Sequence, residues 1–148
     1  RRFIAAGIRG WICNTSSENA FAAPYPDVAG YVATKHASLG YSDAIRTQFG
    51  DKVGVSVLCP GPVNTSVWNA GRVRPDRYGG PTAGNPLNEK FLADAGLDPS
   101  LVGKMAVAGI RAEDFYILTH PENLESVRKR YEEIKACVVR QFPDYTPS

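Results

Sequence analysis

The sequence predicts an α/β protein with a doubly wound parallel sheet, because three short apolar segments alternate with segments of helical spacing. The apolar segments indicate buried strands at residues 10–14, 53–59 and 115–119. Between them, apolar residues recur every three to four positions, as on one face of a helix. Strand, helix and strand in this order favour a parallel crossover. We therefore expect three layers, with about three parallel strands and flanking helices.

The composition indicates one globular unit with little net charge. With 148 residues, of which 43% are hydrophobic, the chain can bury a sizeable core. Its 17 basic and 15 acidic residues are scattered, which argues against nucleic acid and anionic membranes as partners. Neither a signal-peptide pattern nor an apolar run of about 18 residues is present, so we expect a cytoplasmic protein. Cys13, Cys59 and Cys137 lie far apart, so no metal site is expected.

The first strand ends in the polar run NTSS, and a proline-containing loop leads from it to a helix predicted over residues 29–50. This helix has two apolar sides, so we expect it to pack against its own sheet and against a second surface. The second strand, residues 53–59, is rich in β-branched residues and is stopped by the sequence PGP. The apolar residues of the helix are Leu39, Ile45 and Phe49 on one side and Ala33, Ala37, Tyr41 and Ala44 on the other.

Residues 66–96 contain five glycines and three prolines without a sustained period, which predicts an irregular loop. Such a long loop in a compact domain is usually a lid or a binding loop, with a floppy insert as the alternative. A helix is predicted to follow up to residue 111, with Asp98 or Ser100 as its N-cap and Pro99 near its first turn. The last helix is predicted over residues 121–142, and Tyr131 on its apolar stripe is expected to pack.

Two segments place a tyrosine four residues before a lysine, YVATK at residues 31–35 and YEEIK at residues 131–135. This separation puts both side chains on one helix face, with Cβ atoms about 5–6 Å apart. The first segment follows a strand that ends in Ser16 and Ser17, and it precedes a strand that ends at a Pro-Gly turn. Ligands of doubly wound sheets bind at these carboxyl ends of the strands. Only the first segment is therefore predicted to be functional, and the second indicates a packed tyrosine with a solvated lysine.

A tyrosine beside a lysine can exchange protons near neutral pH. A phenol is a poor proton donor or acceptor at pH 7 unless its phenolate is stabilised. An ammonium about 5 Å away, at an effective dielectric near 20, favours a phenolate by roughly 3 kcal/mol. A serine hydroxyl from the neighbouring strand end can hold a substrate carbonyl oxygen beside the phenol. Hydride transfer then needs a separate carrier that the protein binds.

The motifs NTSS, YVATK and CPGPVNT, in this order and at these separations, resemble the short-chain dehydrogenase/reductase family over residues 10–142. The resemblance implies a Rossmann-like fold, NAD or NADP as cofactor, and a small-molecule alcohol or carbonyl substrate. By position, Tyr31 matches the family's catalytic tyrosine, and Lys35 matches the lysine that also binds the nicotinamide ribose. Ser17 best matches the catalytic serine, although its separation from Tyr31 is one residue longer than usual. Ser16 is the alternative.

The segment after the second strand resembles the part of the family that lies along the nicotinamide. A proline-glycine turn lets backbone approach a flat ring, and a threonine hydroxyl can reach a carboxamide or phosphate. Residues 66–96 resemble the family's substrate loop. The resemblance implies cofactor contacts by Tyr31, Lys35, Pro60, Gly61, Val63 and Thr65. Candidates for substrate contacts are Ser17, Tyr25 and Trp68, with ordinary packing as the alternative for the two aromatic residues.

The family's Gly-rich turn T-G-x-x-x-G-x-G, its N-N-A-G segment and its catalytic asparagine have no counterpart in residues 1–148. We therefore expect a single unit that corresponds to the C-terminal catalytic half of such an enzyme, without the N-terminal dinucleotide-binding half. The leading hypothesis is an NAD(P)-dependent oxidoreductase in which Tyr31 is the general acid or base. The second is a non-catalytic chain that acts as a dimerisation or binding module. Family members commonly pair through the helix that carries the tyrosine, which implies a homo-oligomer through residues 31–49.

The two histidines are expected to have structural roles. His36 follows Lys35 and points about 100° away from it around the helix, so it should lie off the catalytic face. His120 precedes Pro121 at a helix start, where a capping or strand-end role is expected. A Ser-His hydrolase is disfavoured, because no G-x-S-x-G motif surrounds the serines.

Overall fold

A computed structural model describes residues 2–21 and 28–145, and within these ranges the strands form one parallel sheet. The strand order is β1-β2-β3, so each connection joins neighbouring strands. Gly10 pairs with Val53 at one end of the first ladder, and Val57 pairs with Tyr116 in the second. The predicted parallel α/β sheet with flanking helices is confirmed. The strands are β1 (Gly10–Thr15), β2 (Val53–Cys59) and β3 (Tyr116–Leu118).

The helices supply the crossovers between the strands. One 21-residue helix connects β1 to β2, and a 13-residue helix precedes β3. Both agree closely with the predicted ranges, while the short N-terminal helix was not predicted from the sequence. Among the helices of the described residues, none combines the length and apolar character that a membrane crossing requires. The helices are α1 (Arg2–Ala5), α2 (Ala29–Phe49), α3 (Pro86–Ala95), α4 (Pro99–Arg111) and α5 (Asn123–Gln141).

The central strand β2 forms the core of the described structure. Val55, Val57 and Cys59 are buried, and they cluster with buried Phe115 from the segment before β3. This arrangement explains the continuous apolar run that identified β2 in the sequence, because a central strand has no solvent-facing side. Leu39 and Ile45 of α2 pack against the same cluster. One of the two predicted apolar sides of α2 therefore faces the sheet.

A polar contact fixes the rotation of α2 relative to β1. The side-chain amide of Asn14 in β1 donates to Ser42 Oγ at 3.0 Å. Ser42 is fully buried in α2, and its hydroxyl donates to the Ser38 carbonyl at 2.8 Å. A rotation of α2 would take the acceptor away from the half-buried Asn14 amide, so this hydrogen bond favours one helix orientation. The same orientation sets where the first turns of α2 point.

Residues 66–96 are more regular than their composition predicts. They include helical turns and the ten-residue helix α3, so the expectation of an irregular loop is wrong here. Asn85 Oδ1 accepts from the Leu87 backbone N–H at 2.9 Å, and Pro86 occupies the first turn. An Asn-Pro pair at a helix start is a sequence signal for such a cap. A parallel bridge between Val63 and Leu97 closes the base of the segment.

The sequence offers two candidates for the N-cap of α4, Asp98 and Ser100. Asp98 Oδ1 accepts from the Ser100 backbone N–H at 2.6 Å, and Pro99 lies in the first turn. Asp98 is therefore the cap. The hydrogen bonds from Ser100 lower the pKa of the Asp98 carboxyl, as expected for an acceptor that is needed ionised.

Helix α5 lies more in solvent than its apolar stripe predicts. Tyr131 is 59% exposed, so the expectation that it packs is wrong. The helix contacts the described body through polar groups instead: Asn123 donates to Glu18, and an Arg130 nitrogen lies 3.1 Å from His36 Nε2. Amphipathic spacing identified the helix but could not show whether the described chain supplies a surface for its apolar side. Other exposed residues of the stripe are Leu124, Val127 and Ile134.

Candidate active site

The carboxyl ends of the three strands lie at one edge of the sheet, because the strands are parallel. Backbone hydrogen bonds tie the first two ends together beyond the strands themselves. The Ser16 N–H donates to the Leu58 carbonyl at 2.8 Å, and the Glu18 N–H donates to the Pro60 carbonyl at 3.0 Å. The polar residues that follow β1 are therefore fixed beside the Pro-Gly turn that follows β2.

Tyr31 and Lys35 come together on the first turns of α2 beside this edge. Lys35 Nζ lies 5.5 Å from the centroid of the Tyr31 ring. The same ammonium lies 3.3 Å from the carbonyl oxygen of Thr15, the last residue of β1, and donates a hydrogen bond to it. Tyr31 is 45% exposed among the described residues, which leaves room beside its phenol. The arrangement gives an ammonium held at a strand end next to an accessible phenol.

The two serines after β1 have different partners. Ser16 Oγ donates to the backbone carbonyl of Lys35 at 2.8 Å and so joins β1 to α2. Ser17 Oγ accepts from the Asn19 N–H at 3.2 Å, and its bond to the Pro60 carbonyl is long, at 3.4 Å. The hydroxyl proton of Ser16 is thus used in a short structural bond, whereas that of Ser17 is held weakly. This difference favours Ser17 as the serine that can give its proton to a ligand.

Gly61, in the turn after β2, is enclosed by polar groups. Its backbone N–H donates to Thr119 Oγ1 and to His120 Nδ1, both at 3.2 Å. A Cβ at this position would lie 2.6 Å from Glu18 Oε2 and 2.6 Å from His120 Nδ1. Asn123 Nδ2 in turn donates to Glu18 Oε2 at 2.6 Å. Only glycine fits at position 61, because a Cβ there would displace the side chains of Glu18 and His120.

The rest of the predicted cofactor segment runs toward α3. Val63 forms the bridge with Leu97, and the Leu97 N–H donates to the Pro62 carbonyl at 3.0 Å. Thr65 Oγ1 accepts from the Val67 N–H at 3.4 Å and caps the helical turn Ser66–Val73. These contacts hold the backbone of the segment in a single path away from the sheet edge.

Of the two aromatic residues predicted to contact substrate, Trp68 lies within the described residues and Tyr25 does not. Trp68 is half-buried and lies against Gly84, where a Cβ would come within 2.5 Å of its ring. It therefore packs within the segment that contains it, and its contact with substrate stays a prediction. Tyr25 lies outside the described residues.

Sequence reasoning missed part of the cluster at the sheet edge. Glu18, Thr119 and Asn123 were not singled out, and His120 was considered only as a cap or strand-end residue. Each lies directly after a strand or at the start of the helix that follows it. Polar residues at the ends of parallel strands were therefore the signal that could have identified them.

The cysteines do not provide a reactive thiolate near this edge. Cys59 at the end of β2 is buried, and desolvation raises its pKa from 9.0 to about 12. The nearby charge of Lys35 opposes this shift but does not cancel it. Burial also raises the pKa of the Cys13 thiol. Across residues 2–21 and 28–145, no group of three or more His, Cys, Asp or Glu side chains is arranged to hold a metal ion.

Comparisons with known proteins identify relatives of this chain. Residues 1–75 match the family model described as short chain dehydrogenase. The Cα-dehydrogenase of Sphingobium sp. strain NBRC 103272 / SYK-6 is 32% identical over 143 residues, which are 90% of this chain and 45% of that protein. The CLA biosynthesis dehydrogenase/reductase of Lactiplantibacillus plantarum is 27% identical over 131 residues, with coverages of 80% and 45%. The chain thus spans less than half the length of these two relatives.

The fold has a similar relative among solved structures. A short chain dehydrogenase/reductase from Burkholderia phymatum, in complex with NAD, matches with a TM-score of 0.76 and 31% identity. The match covers 89% of this chain and 50% of the Burkholderia chain. Since a family model matches half of the sequence and the fold agrees over most of it, this chain belongs to the short-chain dehydrogenase/reductase family.

Proposed function

We propose that this chain carries the catalytic centre of an NAD(P)-dependent oxidoreductase that interconverts an alcohol and a carbonyl. The observation that carries the proposal is the Tyr31–Lys35 pair, with Lys35 Nζ 5.5 Å from the tyrosine ring centroid beside the end of β1. Membership of the family and the NAD in the Burkholderia structure support the same reaction class.

The residues at the sheet edge fit the nicotinamide end of NAD or NADP. An ammonium and an accessible phenol offer hydrogen bonds to ribose hydroxyls, and these groups are Lys35 and Tyr31. The segment with Pro60, Gly61, Val63 and Thr65 would supply a wall for the flat ring, because its backbone approaches closely at the glycine. When bound, the cofactor supplies or accepts the hydride.

In the proposed mechanism, Tyr31 transfers the proton and Lys35 stabilises the charge. During oxidation the phenolate of Tyr31 takes the proton of the substrate hydroxyl as hydride leaves the carbinol carbon. During reduction the phenol returns that proton to the carbonyl oxygen. The Lys35 ammonium favours the phenolate electrostatically. The Ser17 hydroxyl would donate to the substrate oxygen and hold it beside the phenol.

The substrate side of the site is proposed from position and from relatives. Residues 66–96 would form the substrate loop, with Trp68 and Tyr25 as apolar contacts. The Sphingobium relative is named a C alpha-dehydrogenase. The first substrates to test are therefore small molecules with a hydroxyl or a ketone on the carbon that is called α. We propose a cytoplasmic reaction.

Transfer of deuterium from a labelled cofactor tests the proposal. The full chain is incubated with aldehydes and ketones and with NADH or NADPH that carries deuterium at the transferred position of the nicotinamide. We expect deuterium on the carbinol carbon of one product, detected by mass spectrometry, and an initial rate of transfer at least about 100-fold lower with Tyr31→Phe. If the cofactor binds but no deuterium moves to any carbonyl compound that binds, the chain is not this kind of enzyme.

A pair of serine variants decides between the two catalytic candidates. We expect Ser17→Ala to lower kcat by about 10- to 100-fold, since it removes a hydrogen bond to the reacting oxygen. Ser16→Ala should instead lower the free energy of unfolding by about 0.5–1.5 kcal/mol, because the hydrogen bond that joins β1 to α2 is lost. The opposite pattern in kcat and chemical denaturation would assign catalysis to Ser16.

The second candidate function is a non-catalytic module that assembles through α2. One side of this helix is exposed in the described structure, and Tyr41 on it is 64% exposed. A second copy of the chain could cover this side through residues 31–49. Sedimentation and NADH or NADPH titration of the full chain separate the candidates: self-association without cofactor binding would support the module, whereas micromolar cofactor binding supports the enzyme.

A further inference from the structure

The backbone amide of Gly61 is held by two residues that follow β3. The N–H donates to Thr119 Oγ1 and His120 Nδ1, and these two acceptors lie 2.7 Å from each other. Thr119 is buried, and His120 is half-buried. The three groups form a closed set that connects the end of β3 to the turn after β2.

The Gly61 N–H favours one tautomer of His120. Nδ1 accepts from the Gly61 N–H, so it carries no proton of its own. The short contact with Thr119 then has the hydroxyl as donor and Nδ1 as acceptor. The Gly61 contact thus favours the neutral ring with its proton on Nε2 over the tautomer in which Nδ1–H donates to Thr119. Thr119 Oγ1 accepts from Gly61 with a remaining lone pair.

His36 has the opposite arrangement and provides an internal control. Its Nδ1 lies 3.0 Å from the Val32 carbonyl, which can only accept, so Nδ1 must carry the proton. Its Nε2 lies 3.1 Å from an Arg130 nitrogen, which can only donate. The sequence contains two histidines, and their environments favour opposite tautomers.

A carboxylate with its own hydrogen-bond donor also lies beside Gly61 and His120. Glu18, on the turn after β1, places Oε2 against Gly61 and accepts from Asn123 at 2.6 Å. Asn123 also approaches the His120 carbonyl at 3.4 Å. Glu122 lies two residues after His120 in the chain. The Glu18 carboxylate thus has its own donor, and the Gly61 amide depends on Thr119 and His120.

We propose that His120, as the neutral Nε2–H tautomer, is a positioning residue that fixes the Gly61 backbone. For its effect on catalysis this rests on the proposed function, in which the Pro60–Gly61 turn is a wall of the nicotinamide site. Protonation of Nδ1 turns an acceptor into a donor and removes one of the two acceptors of the Gly61 N–H. Cofactor binding therefore weakens as acid protonates His120.

Nitrogen NMR of the labelled full chain tests the hydrogen bond without any cofactor. We expect an unprotonated Nδ1 signal for His120 and an unprotonated Nε2 signal for His36 in the neutral protein. The Gly61 amide signal should shift along the same titration curve as the His120 ring. Either of two results would overturn the proposal: a protonated Nδ1 in neutral His120, or a Gly61 amide chemical shift that stays constant while the His120 ring titrates.

Two substitutions test the consequence for the cofactor. We expect His120→Ala to weaken NADH or NADPH binding by about 5- to 10-fold, the effect of one lost hydrogen bond. His120→Asn, whose Oδ1 can replace the Nδ1 acceptor, should recover most of the affinity and lose the acid-dependent decrease. Equal affinity of the wild type and His120→Ala at all pH values contradicts the positioning role. If the wild type binds neither cofactor, the proposed function fails, and the NMR result still decides the hydrogen bond.

Discussion

The two Tyr-x-x-x-Lys segments have the same spacing but different surroundings. On α2, the ammonium of Lys35 lies beside Tyr31 and donates to the last carbonyl of β1. On α5, Tyr131 is 59% exposed, and Lys135 is also exposed. Helical spacing brings a tyrosine near a lysine in either place. A strand end beside the pair is what distinguishes the segment that we propose to be catalytic.

The two helices also differ in how they are held. Helix α2 contributes buried Val32 and Ser42, and it packs on the core through apolar residues. Helix α5 has no buried residue within its described range, and its local contacts include an exposed ion pair between Arg128 and Glu125. Exposed ion pairs add little to stability. The helix that packs on the core therefore holds the proposed acid-base pair, where a fixed geometry is needed.

Thiol labelling should separate the two regions most strongly. In the folded chain at pH 8, we expect iodoacetamide to label Cys137 on α5 and to leave Cys59 unmodified. Burial raises the pKa of Cys59 from 9.0 to about 12, so its thiolate fraction falls by about 1000-fold. Mass spectrometry with and without urea measures both rates, and unfolding should accelerate labelling of Cys59 far more. Rapid labelling of Cys59 in the folded chain would contradict the described core.

The next largest difference is expected in kcat when the charge of each lysine is removed. Lys35→Met should lower kcat by about 100-fold, since the ammonium beside the Tyr31 ring no longer stabilises charge that develops during the reaction. Lys135→Met should leave kcat within about twofold, because Tyr131 and Lys135 are both exposed on α5. Steady-state kinetics with the full chain compares the two variants. Similar losses in both would mean that the environment of α2 is not decisive.

The fold could be predicted largely because its signals are local. Continuous apolar runs identified β2 and β3, and capping residues such as Asp98 marked helix starts. The exposure of Tyr131 could not be predicted, since amphipathic spacing does not say what covers a helix face. The helical structure within residues 66–96 was missed because their glycines and prolines indicated a loop, although Asn85 before Pro86 is a signal for a helix start. The catalytic candidates came from motif order, whereas the contacts of Gly61 depend on distant residues that only the fold brings together.

A smaller difference is expected in the free energy of unfolding when one serine on each of the two helices is replaced by alanine. Ser42→Ala in α2 should lower the free energy of unfolding by about 0.5–1.5 kcal/mol, because the half-buried Asn14 amide loses its acceptor. Ser126→Ala on the half-buried side of α5 should change it by less than about 0.5 kcal/mol. Urea denaturation followed by circular dichroism measures both values. Equal effects would show that α2 is not held more firmly than α5.

The most direct test of the central claim is a single-turnover measurement on Tyr31→Phe and Tyr131→Phe in the full chain with saturating cofactor. We expect Tyr31→Phe to lower the rate of hydride transfer by at least about 100-fold, since it removes the general acid or base. Tyr131→Phe should keep the wild-type rate within about twofold. A Tyr31→Phe rate within a few fold of wild type, or a selective loss in Tyr131→Phe, would contradict the assignment of the catalytic pair to α2.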